Sequence, residues 1–192
     1  METNYIVNED CLTFMRTLPD KCIDLILTDP PYPDYYAEKY NYNPEPILYL
    51  DKFKCKQFVF WTAKEDFLLD YSAIHIWDKK TGCGSEYERI FERNGDKNYK
   101  MFRYYFINST VAAQMTKDVY YNHPSQKPFK LIENIILNNT KKGDVIFDPF
   151  MGTGTTCYVA QELGRKYIGC ELDKDYFEIA EKRLGFVKQR LF

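Results

Sequence analysis

The sequence predicts an α/β domain built on a mostly parallel, doubly wound sheet, and three observations predict it. Short apolar runs at residues 23–27, 57–62, 144–148 and 167–170 have strand length, and they alternate with stretches of helical period. Two of these runs end in turns that no sheet continues, Asp29-Pro30-Pro31-Tyr32 and Pro149-Phe150-Met151-Gly152-Thr153-Gly154. The 192 residues contain no linker, repeat or low-complexity segment, so one domain spanning 1–192 is expected.

Taken in order, residues 5–8 read as a strand and 11–18 as a helix, with Asp10 placed to cap its N-terminus. Residues 23–28 form the next strand, completing a β-α-β unit. The tyrosine- and proline-rich stretch 33–46 is an expected loop. A helix over 47–55, a strand over 57–62, a short helix over 65–71 and a strand over 73–77 follow. Residues 79–122 show the least regular pattern, and Asn94-Gly95 is a hairpin-turn signal. His123-Pro124-Ser125-Gln126-Lys127-Pro128 precedes a helix carrying Leu131, Ile132, Ile135 and Ile136. The chain closes with strand, glycine turn, helix, strand ending at Glu171, and a last helix over 174–184.

Charge excludes a general polyanion binder, because the net value is -2. It is uneven, however. Residues 79–130 hold ten Lys/Arg against five acids, which suits a local anionic partner. The six cysteines show no C-x-x-C pair, so no metal site is expected and a reducing compartment is. The first residues lack a signal-peptide pattern, and no apolar run approaches the ~20 residues of a membrane span. A cytoplasmic protein with no membrane contact is expected.

The chemistry lies in the two turns. Asp29-Pro30-Pro31-Tyr32 offers a carboxylate, rigid carbonyls and an aromatic ring at a strand's C-terminal end, where open α/β sheets bind ligands. Gly152 and Gly154 permit close approach of a ligand to the backbone, and the helix after them presents free N–H groups. Glu171 ends the next strand, where an acid can hold ribose hydroxyls. Cys157 stands where a dinucleotide fingerprint needs glycine, and no lysine of a phosphate loop is present. Asp148 suits an ammonium better than a phosphate. A ligand carrying ribose, ammonium and carboxylate, as S-adenosylmethionine does, fits this set.

These turns, with His123–Pro128 and the run from Gly164 to Gly169, resemble the β-group of DNA amino-methyltransferases, in which the catalytic turn precedes the cofactor turn. The resemblance covers roughly 1–78 and 123–185. It implies the Rossmann-like S-adenosylmethionine-dependent methyltransferase fold with permuted motif order and seven strands. It also implies methyl transfer to adenine N6, or alternatively cytosine N4, of a base flipped out of double-stranded DNA. Asp29, Pro30, Pro31 and Tyr32 would be catalytic, with Tyr32 stacking the base. Asp10, Ser125, Lys127, Asp148, Phe150, Gly152, Gly154, Thr155 and Glu171 would hold the cofactor, with the Lys127 ammonium on its carboxylate. The family usually has glycine before the acid at position 10, and here Glu9 stands there. Asp rather than Ser before Pro-Pro-Tyr favours adenine.

Stretch 79–122 would be a small target-recognition insertion, with Lys79, Lys80, Arg89, Arg93, Lys97, Lys100 and Arg103 as phosphate contacts. A homodimer is consistent with the resemblance. Action on RNA or a protein amide would favour Asn in place of Asp29, and a non-catalytic binding module would not need Asp29, Gly152 and Gly154 all intact.

Overall fold

The computed structural model describes residues 2–19, 21–33, 42–80, 86–106, 109–110, 112, 114 and 118–186. Strands are β1 (Tyr5–Asn8), β2 (Leu25–Thr28), β3 (Lys56–Trp61), β4 (Ala73–Asp78), β5 (Tyr87–Arg93), β6 (Met101–Arg103), β7 (Val145–Asp148) and β8 (Lys166–Glu171). Helices are α1 (Cys11–Thr17), α2 (Glu45–Tyr49), α3 (Phe129–Asn139), α4 (Thr155–Glu162) and α5 (Lys174–Arg183). One sheet runs in the order β1-β8-β7-β2-β3-β5-β4-β6. All its pairings are parallel except the two that β5 makes with β3 and β4.

The continuous apolar strands are explained by burial on both faces. In β2, Leu25 and Leu27 face α3 and α4, through Leu131, Ile132, Ile135, Val159 and Ala160. Ile26 faces the opposite way, onto Phe14 and Met15 of α1, with Leu50 and Phe53. Asp10 caps α1 by accepting from the Thr13 N–H at 2.9 Å, and Asp173 caps α5 through the N–H groups of Asp175 and Tyr176.

The fold class stands as expected, and several details differ. The sheet has eight strands rather than seven, because β6 adds at the edge beside β4. Within the stretch 79–122, Tyr87–Arg93 and Met101–Arg103 supply β5 and β6 to the central sheet. No hairpin forms at Asn94-Gly95. There the Asn94 side chain donates to the Cys55 carbonyl at 2.9 Å, and the hairpin partners are β4 and β5. No helix forms over 65–71. Its apolar members Phe67 and Leu69 pack on the sheet from an irregular, bent segment, and Phe67 stacks on Phe91 with ring centroids 4.4 Å apart. The helix expected over 47–55 is shorter and starts earlier, as α2 followed by a 3-10 turn at Leu50–Lys52.

Candidate active site

The two turns come together because β2 and β7 are neighbours, with Ile26 opposite Phe147. Thr28, the last residue of β2, donates its hydroxyl to Asp148 Oδ1 at 2.7 Å. Beyond that bond a cavity of about 470 Å³ opens at the C-terminal ends of the parallel strands. Its wall includes Asp10, Asp29, Pro30, Pro31, Tyr32, Ser125, Lys127, Asp148, Phe150, Gly152, Thr155 and Glu171. Of the expected catalytic and cofactor residues, only Gly154 does not line it.

On the glycine side the backbone shapes the site. Gly152 has φ +53°, and a Cβ there would come 3.1 Å from His123 Nε2. Glu171 fixes the turn by accepting the Gly152 N–H at 2.8 Å on Oε2 and the Asp173 N–H at 2.8 Å on Oε1. Each oxygen keeps a further lone pair for a ligand. Gly154, at φ +75°, serves packing: a Cβ there would meet the Ala180 Cβ of α5 at 3.0 Å. Arg183 supports the turn from below, donating to the Thr155 hydroxyl at 2.9 Å. Asp10 caps α1 and also lines the cavity. Burial pushes the Asp148 carboxyl up to about 6, the Asp29 charge adding to it and the hydrogen bonds from Thr28, Thr156 and Phe150 opposing it.

On the proline side, side chains from distant elements shape the site. Tyr32 donates its hydroxyl to Asp29 Oδ1 at 2.5 Å, and its ring meets Trp61 edge-on at 5.6 Å. The Lys127 ammonium contacts Asp29 Oδ2 and lies 3.4 Å from Glu88 Oε2. Lys79 closes the row at 2.6 Å from Glu88 Oε1. Both ammonium groups rest near aromatic faces, Lys127 over Phe60 at 5.1 Å and Lys79 over Phe106 at 4.9 Å. Burial pushes Asp29 up, opposed by Lys127. Burial would lower Lys127, but the Asp29 and Glu88 charges outweigh it and hold its pKa above the usual lysine value. Lys127 is therefore an ammonium shared by two carboxylates, and it lines the cavity in which its expected cofactor contact would lie. His123 is pushed down to about 4 by burial and by Lys127, so it is a neutral ring at pH 7, and its Nδ1 accepts the Ser125 N–H at 3.1 Å.

A sequence model of the N6/N4 class, described as DNA methylase, matches residues 33–182. The chain belongs to that DNA methylase family. It is 46% identical to the DNA adenine methyltransferase YhdJ of Escherichia coli (strain K12), over 95% of this chain and 83% of that one. The first three curated relatives it matches are spanned over 38%, 69% and 39% of their lengths. Among solved structures it is similar to the PvuII DNA methyltransferase (cytosine-N4-specific), with TM-score 0.71, 16% identity and coverage of 100% and 89%. It is similar also to an M1.HpyAVI–SAM complex, with TM-score 0.60, 22% identity and coverage of 93% and 98%. These two likenesses show the methyltransferase fold.

The residues expected to contact phosphate lie in different surroundings. Lys79 and Arg93 are buried and engaged, Arg93 on Asp51 at 2.6 Å and on Gln57 at 3.0 Å. Arg89 spends its guanidinium on the Thr62 carbonyl, at 2.8 and 3.0 Å. Lys97 and Lys100 are exposed but precede β6, at the end of the sheet away from the cavity. Only Lys80 and Arg103 are exposed at the cavity end, following β4 and ending β6. No group of three His, Cys, Asp or Glu able to hold a metal occurs among the described residues, and no described helix is long and apolar enough to cross a membrane.

Sequence reasoning misses Glu88, which enters there only as one of the five acids of residues 79–130. One signal could have found it. Glu88, Ile90 and Glu92 share one face of a strand by period two, and Ile90 is wholly buried. An acid on that face must find a buried partner.

Proposed function

We propose that this chain transfers a methyl group from S-adenosylmethionine to the exocyclic amino group of a base in double-stranded DNA, with adenine N6 the preferred target. One observation carries the reading: Asp29, held by Tyr32 and Lys127, stands in the same cavity as Glu171 and Gly152. The cavity residues fit the methyl donor. Glu171 suits the ribose, Gly152 leaves the space a Cβ would fill, and the buried Asp148 carboxylate suits the ammonium. Asp10 and Phe150 complete the adenine side, with Ser125 and Thr155 as further polar lining. When bound, the donor supplies a methyl group on a positively charged sulfur.

An exocyclic amine is a poor nucleophile, because its lone pair is delocalised into the ring. Asp29 and the Pro30 carbonyl each accept one N–H, holding the nitrogen in place and favouring its change toward tetrahedral geometry. Pro30 and Pro31 keep that carbonyl stiff, so the acceptors are preorganised for the positive charge that develops on nitrogen. The proton leaves after the methyl has arrived, when the nitrogen is strongly acidic, so no strong base is required. The target atom lies inside a duplex, so the base must be flipped out, at a cost of a few kcal/mol. Stacking on Tyr32 offsets roughly 1–3 kcal/mol of this.

Asp29 rather than Ser, with the likeness to an adenine methyltransferase, favours adenine. Cytosine N4 is the second reading, favoured by the likeness to the PvuII enzyme. The test is transfer of tritiated methyl to unmethylated duplex DNA, followed by nucleoside digestion. N6-methyladenine is the expected product. N4-methylcytosine would move the activity to the second reading, and no transfer would remove it.

A further inference from the structure

Four charged side chains lie in an alternating row behind the proline turn: Asp29, Lys127, Glu88 and Lys79. Lys127, Glu88 and Lys79 are at most 7% exposed, and they reach the row from three separate places: the segment before α3, β5, and the end of β4. Such a row is a weak device for stability, since well-packed apolar side chains often serve as well. Its position touching Asp29 suggests an electrostatic task.

We propose that Glu88 is a positioning residue for methyl transfer: it holds the Lys127 ammonium against Asp29 and keeps the charge of the row balanced. This rests on the methyltransferase reading above. With all four groups ionised the row sums to zero. Without Glu88 it sums to +1, facing an amine that becomes positive as the methyl arrives. Lys127 would then have Asp29 as its only carboxylate and would compete with the amine for it. Glu88 thus lets one ammonium orient Asp29 without neutralising it.

The groups facing Asp29 are Tyr32 of its own turn, Lys127 with His123 near it, Glu88 from β5 with Lys79 behind, and Asp148 from the end of β7. His123 is neutral above about 4, and the Glu88 charge raises Asp29. Removing that charge therefore moves Asp29 down.

The experiment compares wild type, Glu88→Gln, Lys79→Met and E88Q/K79M. Single-turnover transfer to duplex DNA is measured against pH, with S-adenosylmethionine affinity by titration calorimetry. Glu88→Gln is expected to lower the plateau rate about 10- to 100-fold, the scale of one uncompensated charge nearby. Its acid limb should move to lower pH, and its cofactor affinity should stay within about threefold. The double variant restores a zero sum and should recover at least about tenfold of the loss. A merely structural role would lower the plateau without moving the limb and would not be rescued by deleting a second charge. A wild-type rate for Glu88→Gln, or a double variant no better than the single, overturns the proposal.

A carbon-13 titration of the Asp29 carboxyl in the unliganded protein separates this from failure of the methyltransferase reading. A lower titration in Glu88→Gln supports the proposal even if no transfer to DNA is seen, and an unchanged one overturns it. If Glu88→Gln does not fold, E88Q/K79M compared with Lys79→Met removes the same charge, and the carbon-13 titration of Asp29 should again move down between the two; an unchanged one overturns the proposal.

Discussion

The two turns at the floor of the cavity do comparable work by opposite means. The glycine turn after β7 is a backbone device. Its shape comes from two positive-φ glycines, and its polar partners are N–H groups tied to Glu171. The proline turn after β2 is a side-chain device. Its backbone is stiff and bare of donors at Pro30 and Pro31, and its carboxylate Asp29 is met by Tyr32 and Lys127, with Glu88 and Lys79 behind Lys127. A backbone device tolerates charge changes and fails when a Cβ is added. A side-chain device tolerates small steric changes and fails when a charge is removed.

The largest expected effect is at Asp29. Asp29→Ala should lower methyl transfer at least about 10²–10³-fold, the scale of losing one preorganised electrostatic partner. S-adenosylmethionine binding, measured by calorimetry, should persist. A variant that keeps turnover would remove Asp29 from the reaction, and one that loses the cofactor as well would erase the contrast between the turns.

The glycines come next, and they should separate from each other. Gly154→Ala puts a Cβ at φ +75° against Ala180, so a stability loss of roughly 1–3 kcal/mol in thermal unfolding is expected. Gly152→Ala puts its Cβ at the cavity wall beside His123, so its larger effect should be on cofactor affinity, about tenfold or 1.4 kcal/mol. Equal effects on both properties would mean that the turn acts as one packing unit.

Asp148 sharpens the comparison through pH. Its carboxyl is raised to about 6 in the fold, from an ordinary value of 3.8. The unliganded fold therefore favours the protonated form, and that contribution to stability, full below about pH 4, is lost as pH rises through 6. A cofactor ammonium requires the ionised form. Calorimetry should show affinity falling as pH drops through about 6, by up to about tenfold per pH unit. In Asp148→Asn that slope should disappear.

The smallest expected effect concerns DNA. Lys80→Ala with Arg103→Ala should weaken duplex binding and reduce the salt slope by about one for each phosphate that is no longer neutralised. Lys97→Ala with Lys100→Ala, at the other end of the sheet, should change neither in a fluorescence-anisotropy titration. The reverse result would place DNA on the far end and detach it from the proline turn.

By itself the sequence determined the parallel α/β class, the two turns, the Asp10 cap and the acid ending β8. Each is written in neighbouring residues, because proline and glycine act on their own φ and ψ, caps reach two or three residues, and apolar period follows the element it sits in. Only the tertiary structure decided that Lys127 contacts Asp29, that Glu88 is buried beside it, that Gly154 packs on α5, and that β5 and β6 complete the sheet. Charges act through space, and desolvation depends on what covers them. A lysine at position 127 and a glutamate at 88 become partners to an aspartate at 29 only when three strands and a helix bring them under one roof.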